Sequence, residues 1–261
     1  LYVKEVLQNF ITNAIKYTVL MRDITREKSL EEERDEFISV VSHELRTPIA
    51  IAEGHLGNAQ FMFEKSGGNP EVKKTLDIAH EQVVFLAGMI NDLATLSRAE
   101  RGVLKVEPEP INTHDLVKEL QATYANDAST KGLKLTIRLD AKLELLSSSK
   151  LYVKEVLQNF ITNAIKYTEK GSVNISATQE KNGVLFEVSD TGIGISKTDQ
   201  ERVFDKFFRS EDFRTRASSG TGLGLYVTMK LARLINAEIN LHSELNHGST
   251  FSIYIPNYNI S

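Results

Sequence analysis

The sequence predicts an α-helical hairpin domain that dimerises into a four-helix bundle, followed by an α/β two-layer sandwich. Three observations carry that prediction. Two long apolar stripes run at helical spacing through the first hundred residues, a proline-rich break follows at residues 105–112, and beyond it helices alternate with period-two strands.

The first stripe extends from residue 24 to about residue 63. Leu30, Phe37, Val41, Leu45, Ile49, Ala52, Leu56, Ala59 and Phe63 fall mostly in steps of four and three, and "REKSLEEERDE" supplies a charged outer face, so the spacing predicts one long helix. "KSGGNP" at 65–70 is turn chemistry. Beyond it Val72, Leu76, Ala79, Val83, Leu86, Ile90 and Leu93 repeat the spacing until "RAERG" stops the second helix at Gly102. Two stripes bury themselves poorly as a lone pair, which is why the hairpin is expected to pair with a second copy. "KVEPEPIN" carries two prolines and no helical period and reads as a linker.

After the linker the pattern predicts a helix over 113–130, a strand in "LKLTIRL" and a helix over 151–166. Strands in "SVNISATQE" and "VLFEVSD" follow, joined through "KNG", then a helix around 221–236 and closing strands in "EINLHSE" and "STFSIYI". Helices mixed with antiparallel strands in this way predict a sheet covered on one face.

Composition removes several function classes. The 261 residues carry a net charge of −4, with 31 Lys and Arg against 35 Asp and Glu, so no basic field exists to hold nucleic acid. The absence of cysteine excludes disulfides, thiolate zinc sites and thiol nucleophiles. No uncharged run approaches the ~20 residues needed to span a bilayer and no signal peptide is visible, so the chain is expected to be soluble.

Four stretches carry chemistry. In "SHELRTP", if Phe37, Val41 and Leu45 face the core, a step of two residues from Val41 turns about 200° and points His43 to solvent. Thr47 is one turn later, Glu44 sits beside the imidazole as a candidate base, and Pro48 removes an N–H from the helix interior. Taken alone, the motif reads more readily as an ordinary surface histidine. His55, His80, His114, His242 and His247 have no neighbouring constellation and receive no role. "VSDTGIGI" ends a predicted strand on Asp190 and continues through Gly192 and Gly194, where a carboxylate can accept from an exocyclic amine and the glycines allow close backbone approach. "SSGTGLGL" places Gly220, Gly222 and Gly224 before an apolar helix, aiming backbone N–H groups at phosphate; it fits neither the P-loop nor the Rossmann pattern. Along the helix over 151–168, Val153, Val156, Leu157, Phe160, Ile161, Ala164 and Ile165 form one face, and Asn159, Asn163 and Lys166 step along another. Amide oxygens at that spacing can ligate a hard cation and the lysine can neutralise phosphate, although such residues are also an ordinary wet face.

In chain order, "SHELRTP", "QNFITNAIKYT", "DTGIGI", "VFDKFFRS" and "GTGLGL" resemble the H, N, G1, F and G2 boxes of the sensor histidine kinases of two-component signalling, over about residues 31–256. The resemblance implies a dimerisation and phosphoacceptor domain over 37–104, a linker over 105–112 and a catalytic ATP-binding domain of Bergerat type over 113–258, within the GHKL superfamily. It implies that His43 is phosphorylated from ATP with Glu44 as acid/base helper, and that the phosphoryl group passes to an aspartate of a response regulator. Asn159 and Asn163 would hold Mg2+, with Lys166 and Tyr167 near the nucleotide. Asp190 would recognise the adenine amine, Gly192 and Gly194 would admit the base, and Arg209 would approach the terminal phosphate. Phe208 and the "GTGLG" residues Gly220, Thr221, Gly222, Leu223 and Gly224 would complete the nucleotide site. Phe208 stands where tyrosine is frequent, which puts one hydroxyl contact in doubt. Thr47 completes an H-E-x-x-T arrangement similar to that of phosphatase-competent members. "VLMRDITREK" resembles the last strand of a PAS sensor domain running into a signalling helix, so residues 19–36 are expected to be that tail. The whole is expected to be a cytoplasmic piece of a homodimeric protein anchored to a membrane through upstream segments.

Residues 1–18 repeat residues 151–168 letter for letter. The first copy has Asn9, Asn13 and Lys16 but no glycine loop or strand after it, so it is read as an artefactual duplication and not as a second active site. The rival reading of the whole is an ATPase of the same sandwich type that does mechanical work without phosphorylating itself. A second rival is a degenerate signalling scaffold that binds no nucleotide.

Overall fold

The computed structural model describes residues 49–65, 67, 69–212, 214 and 221–258, together with Gln8, Thr12, Ile38, Ser42 and residues 45–47. The chain divides into two compact units between Val103 and Leu104. The expectations for the PAS-like tail at 19–36 lie outside the described residues, as do those for the first copy of the duplicated segment apart from Gln8 and Thr12.

The first unit is the expected hairpin. Residues 45–47 are helical, α1 covers 49–65, and α2 is Pro70–Glu100. Between the helices Gly67 takes φ +66° with open space around it, so the position needs glycine for its backbone and not for packing. Asn69 then accepts from the Glu71 N–H at 2.8 Å, and Pro70 occupies the first turn, where a missing N–H costs nothing. Asn69→Ala is expected to lower stability by about 1 kcal/mol, read as a lower denaturant midpoint at unchanged slope. At the far end Gly102, at φ +65°, donates to the Ala99 carbonyl and Val103 donates to that of Arg98, which closes the helix where its pattern ended.

Three contacts set the antiparallel register: Arg46 Nε to Asn91 Oδ1 at 3.2 Å, Gln60 Nε2 to Asp77 Oδ1 at 2.7 Å, and Lys73 Nζ to Glu64 Oε1 at 2.6 Å. Every step toward the loop on one helix is matched by an equal step on the other. Ile49 and Ile90 are buried, but Leu45, Val72 and Leu86, which the stripes assign to the buried side, are 43%, 45% and 43% exposed. One facing helix cannot cover the full width of either stripe, and Ile51, Phe61, Met62, Ile78 and Val84 are exposed as well.

The second unit runs β1 (Glu109–Asn112), α3 (Thr113–Thr130), β2 (Lys134–Leu139), β3 (Leu145–Ser148), α4 (Lys150–Tyr167), β4 (Ser172–Glu180), β5 (Gly183–Asp190), α5 (Lys197–Gln200), α6 (Gly224–Leu234), β6 (Glu238–Glu244) and β7 (Gly248–Pro256). Residues 109–112, read as linker from the two prolines, instead pair antiparallel with β3, and buried Ile111 sits opposite buried Leu146. A strand of four residues is too short to show a period, and a two-stranded ribbon tolerates Pro110 at its edge.

The main sheet has the order β2-β4-β5-β7-β6. All neighbours are antiparallel except β2 and β4, a parallel pair that the crossover through α4 makes possible and the sequence reading did not anticipate. Val173, Ile175 and Ala177 of β4, Val184, Phe186 and Val188 of β5, and Phe251, Ile253 and Ile255 of β7 are buried on one face. Helices cover that face: α4 packs on β4 and β5, α3 on β2 and β4, and α6 on β6 and on α4. All seven apolar residues predicted for the inner side of α4 are buried, joined by Tyr152, whose hydroxyl donates to the Lys105 carbonyl at 2.9 Å. The helix expected around 221–236 begins at Gly224, because Gly222 sits at φ +69° and breaks the helical path just before it.

Candidate active site

The polar side of α4 is where the site starts. Asn159 and Asn163, four residues apart and therefore one above the other, are half-buried, and Asn163 Nδ2 donates to Asn159 Oδ1 at 2.9 Å. The bond locks the two amides into one unit. One turn on, the Lys166 ammonium lies 4.9 Å from the centre of the Tyr167 ring.

The end of α4 touches the loop after β5. The Ile193 N–H donates to the Tyr167 carbonyl at 3.2 Å. Asp190, the last residue of β5, lies in register with Val173 and Ser249 and shares the strand side of buried Val188, which turns its carboxylate toward the helix layer. Burial pushes the carboxyl above its ordinary range, and hydrogen bonds from the Gly192 and Ser249 backbones pull it partly back. The Gly192 N–H reaches Asp190 Oδ1 at 2.8 Å. A Cβ at Gly192 would stand 2.4 Å from the Tyr167 carbonyl, 2.8 Å from Asp190 Oδ1 and 2.9 Å from Thr168 Oγ1, so only glycine fits. At Gly194, φ +66° and a would-be Cβ 2.0 Å from the Glu244 carbonyl press the loop against the β6–β7 turn. The Asn246 N–H of that turn donates to the Ile193 carbonyl at 2.7 Å.

The glycines before α6 close the ring from the other side. A Cβ at Gly224 would meet Asn159 Nδ2 at 2.5 Å, and one at Gly222 would meet the Phe207 backbone at 2.7 Å. The Phe207 N–H donates to the Gly222 carbonyl at 3.0 Å. Thr221 Oγ1 accepts from the Leu223 N–H at 3.0 Å, and Leu223 is buried. Upstream, the Phe204 ring meets Phe251 edge-on at 6.4 Å, and Phe251 stacks on Phe160 at 5.2 Å, which anchors the "VFDKFF" stretch to the core beneath α4. Phe208 is half-buried, with the Arg202 guanidinium 4.7 Å from its ring centre, and Arg209 is exposed.

The fold thus brings Asn163, Lys166, Tyr167, Asp190 and Gly192 to the C-terminal half of α4, with Gly224 against Asn159, Gly222 against Phe207 and Gly194 against the β6–β7 turn. Gly220, His43 and Glu44 lie outside the described residues. Thr47 is exposed on the helical residues 45–47 of the first unit. Sequence reasoning missed Phe204, Thr168 and the Asp212–Arg214–Asn246 contacts. Arg214 grips Asp212 through both carboxylate oxygens, at 3.0 Å from Nε and 2.6 Å from the terminal nitrogen, which holds that carboxyl at about 2. The same guanidinium donates to Asn246 Oδ1 at 2.9 Å. Residues 32 positions apart give no local signal for such a contact.

The donor set fits a nucleotide with a divalent cation. Asp190 is a half-buried acceptor whose carboxyl partial burial pushes above its ordinary range. Gly192 lets the loop backbone close directly onto Tyr167, Thr168 and Asp190, and the two asparagines offer hard, neutral oxygen ligands. Among the described residues no cluster of three His, Cys, Asp or Glu side chains offers an alternative metal site.

Comparison with known proteins bears on both units of the chain. Residues 149–259 match the model for the histidine kinase-, DNA gyrase B- and HSP90-like ATPases, and residues 33–102 match that for the His Kinase A (phospho-acceptor) domain. The autoinducer 2 sensor kinase/phosphatase LuxQ of Vibrio vulnificus is 31% identical over 230 residues, covering 85% of this chain and 26% of LuxQ. The sensor protein SrrB of Staphylococcus aureus is 31% identical over 240 residues, covering 91% of this chain and 40% of SrrB. The chain therefore spans between a quarter and two-fifths of the length of these curated relatives. Among solved structures, the Acinetobacter baumannii histidine kinase AdeS superposes with a TM-score of 0.58 at 25% identity, covering 83% of this chain and 98% of that one. Full-length ShkA in complex with AMPPNP superposes at 0.67 and 24% identity, covering 86% and 47%, a likeness of fold alone.

Proposed function

The chain belongs to the sensor histidine kinases of the GHKL superfamily, and from that premise we propose that it transfers the γ-phosphoryl group of ATP to His43 and passes it on to an aspartate of a response regulator receiver domain. The observation that carries this reading is the convergence of an asparagine pair, a half-buried carboxylate and side-chain-free glycines along the polar side of α4, in a chain whose sequence also holds "SHELRTP".

Asp190 accepts from the exocyclic amine of adenine, a donor that compensates the charge burial disfavours. Gly192 and Gly194 let the base lie against the loop, with Tyr167 beside it. Mg2+ held by Asn159 and Asn163 supplies neutralisation of phosphate charge. Lys166 and Arg209 add positive charge toward the terminal phosphate, Phe208 flanks them, and Gly220, Thr221, Gly222, Leu223 and Gly224 present backbone N–H groups. The neutral His43 imidazole attacks in line: its nitrogen lone pair forms the N–P bond, the bridging P–O bond breaks to release ADP, and Glu44 takes the proton from the ring. Residues 37–104 serve as the dimerisation and phosphoacceptor domain and 113–258 as the catalytic domain, with the pivot ahead of β1, at 105–108. The exposed apolar residues of the hairpin, Leu45, Ile51, Val72 and Leu86 among them, are the surface a second copy covers in the homodimer. No helix among the described residues is long and apolar enough to cross a membrane, and anchoring through upstream segments rests on family membership.

Incubation with γ-labelled ATP and Mg2+ tests the reading. Acid-labile, alkali-stable label on the protein is the expected result, and ATP turnover without such label would favour the mechanical ATPase. A thermal shift by Mg-ATP that Asn163→Ala removes is expected as well, and its absence in the parent would favour the scaffold.

A second activity, dephosphorylation of the receiver, is favoured by Thr47, exposed in the H-E-x-x-T pattern, and by the kinase/phosphatase name of the relative LuxQ. Thr47→Ala is expected to slow phosphate release from a labelled receiver by about tenfold, the order expected for one lost polar contact in a transition state, while self-labelling stays within twofold.

A further inference from the structure

We infer that Lys131, which belongs to none of the five boxes, is a positioning residue for the base end of the nucleotide site, acting by capping the C-terminus of α4. The inference rests on the nucleotide reading above and extends it to a residue that touches no ligand.

A helix leaves its last carbonyls without intrahelical donors, and many helices solve this with glycine in a left-handed turn. Helices α3 and α2 do so through Gly132 and Gly102. In contrast, α4 ends on Thr168 in extended conformation at φ −103°, and its orphan carbonyls are served from elsewhere. Lys131 Nζ donates to the Ile165 carbonyl at 2.8 Å, to that of Lys166 at 2.7 Å and to that of Thr168 at 3.3 Å. The Tyr167 carbonyl takes the Ile193 N–H, and Thr168 Oγ1 folds back on the Ala164 carbonyl at 2.7 Å. One ammonium therefore uses three donors on three of the last four carbonyls, leaving the Tyr167 carbonyl to the glycine loop. A cation at this end of a helix also meets the negative pole of the macrodipole.

What that cap holds is the floor of the base site. The Tyr167 carbonyl and Thr168 Oγ1 are the atoms that leave room for nothing larger than Gly192, and Gly192 donates to Asp190. Without the ammonium, the last turn of α4 would have to turn its carbonyls toward water, moving the Tyr167 peptide and with it Ile193 and Gly192. Asn159 and Asn163 lie one to two turns back along the helix, so the change reaches their side chains less than it reaches the Tyr167 peptide. Loss of Lys131 thus weakens grip on the base more than on the phosphates.

The test compares the parent, Lys131→Met and Lys131→Arg in the same chain, using self-labelling kinetics with ATP and competition by inorganic tripolyphosphate. Lys131→Met is expected to raise KM for ATP about tenfold, the effect of one or two lost charge-assisted hydrogen bonds. The limiting rate should stay within about twofold and tripolyphosphate inhibition should be unchanged. Lys131→Arg, which keeps the charge and several donors, is expected to recover most of the loss. If Lys131→Met is too unstable to purify, Lys131→Gln, with one donor pair and no charge, must show an intermediate rise. An unchanged KM, a fall in limiting rate alone, or equal weakening of ATP and tripolyphosphate would overturn the inference while leaving the nucleotide reading intact. A parent that binds no ATP would overturn both.

Discussion

His43→Gln abolishes acid-labile labelling, to below 1% of the parent on an order-of-magnitude basis, while Mg-ATP still raises the melting temperature by the parent's amount. Glutamine is close to histidine in length and polarity, but its amide nitrogen has no lone pair available for attack, so the substitution removes the nucleophile and little else. The two halves of the outcome separate the roles of the two units. On the proposed function, nucleotide binding falls to residues 104–261, which form a compact unit of their own, and the phosphoacceptor to the unit before it. The check is a denaturing gel treated in parallel with acid and alkali, beside a thermal melt. Label that survives in the variant would assign the acceptor to another histidine, of which the chain has five. Retained label together with an unchanged melt would leave the nucleotide site standing and sink only the choice of His43.

Asp190→Asn is the complementary case, with nucleotide binding lost and stability of the free protein maintained or raised. An asparagine can keep the Gly192 hydrogen bond through its oxygen, but it then turns an amide NH2 toward the amine of adenine, donor against donor. An affinity loss of about 100-fold is expected, near the upper range for one charged hydrogen bond. The stability half follows from the direction of the carboxyl shift. Burial raises Asp190 above its unfolded value, ordinarily near 3.9 for an aspartate. The folded state therefore holds the proton more tightly than the unfolded state. Stability associated with this group is greatest below the unfolded value and is lost as pH rises through the folded one. At pH 7 the parent carries a disfavoured buried charge that the variant lacks, so the variant melts at the same temperature or higher without nucleotide. Toward pH 4 the parent carboxyl takes up its proton and the gap narrows. Melts of both proteins across pH 4 to 7 without nucleotide provide the check. A parent that gains on the variant as pH rises would refute the burial argument, and equal ATP affinity would remove Asp190 from the base site.

The α4 helix shows how far local pattern reaches. Its inner face could be read residue by residue, and all seven predicted positions are buried, because a stripe at steps of three and four has only one way to face a sheet. The asparagines were legible for the converse reason: residues unfavourable in a helix interior, repeated at one-turn spacing, need an explanation that packing does not provide. The glycines of "DTGIGI" and "GTGLGL" were legible as sites of close approach, but what approaches them was not. It took the fold to bring the Tyr167 carbonyl to Gly192, the Glu244 carbonyl to Gly194 and Asn159 to Gly224.

The sequence by itself determined the bounds of α2, α3 and α4 to within a residue or two, which of their sides are apolar, and which residue types line up as candidate ligands. Each of these depends on interactions within a turn or two of chain, such as Asn69 at the start of α2 and Gly102 at its end. Only the tertiary structure decided that residues 109–112 are a strand, that β2 runs parallel to β4, that Leu45, Val72 and Leu86 stay exposed on a single hairpin, and that Lys131 caps a helix 34 residues away. The physical reason is common to all four. Backbone groups and apolar surface must be satisfied somewhere, but when the partner lies far along the chain, its identity depends on how the other elements have packed.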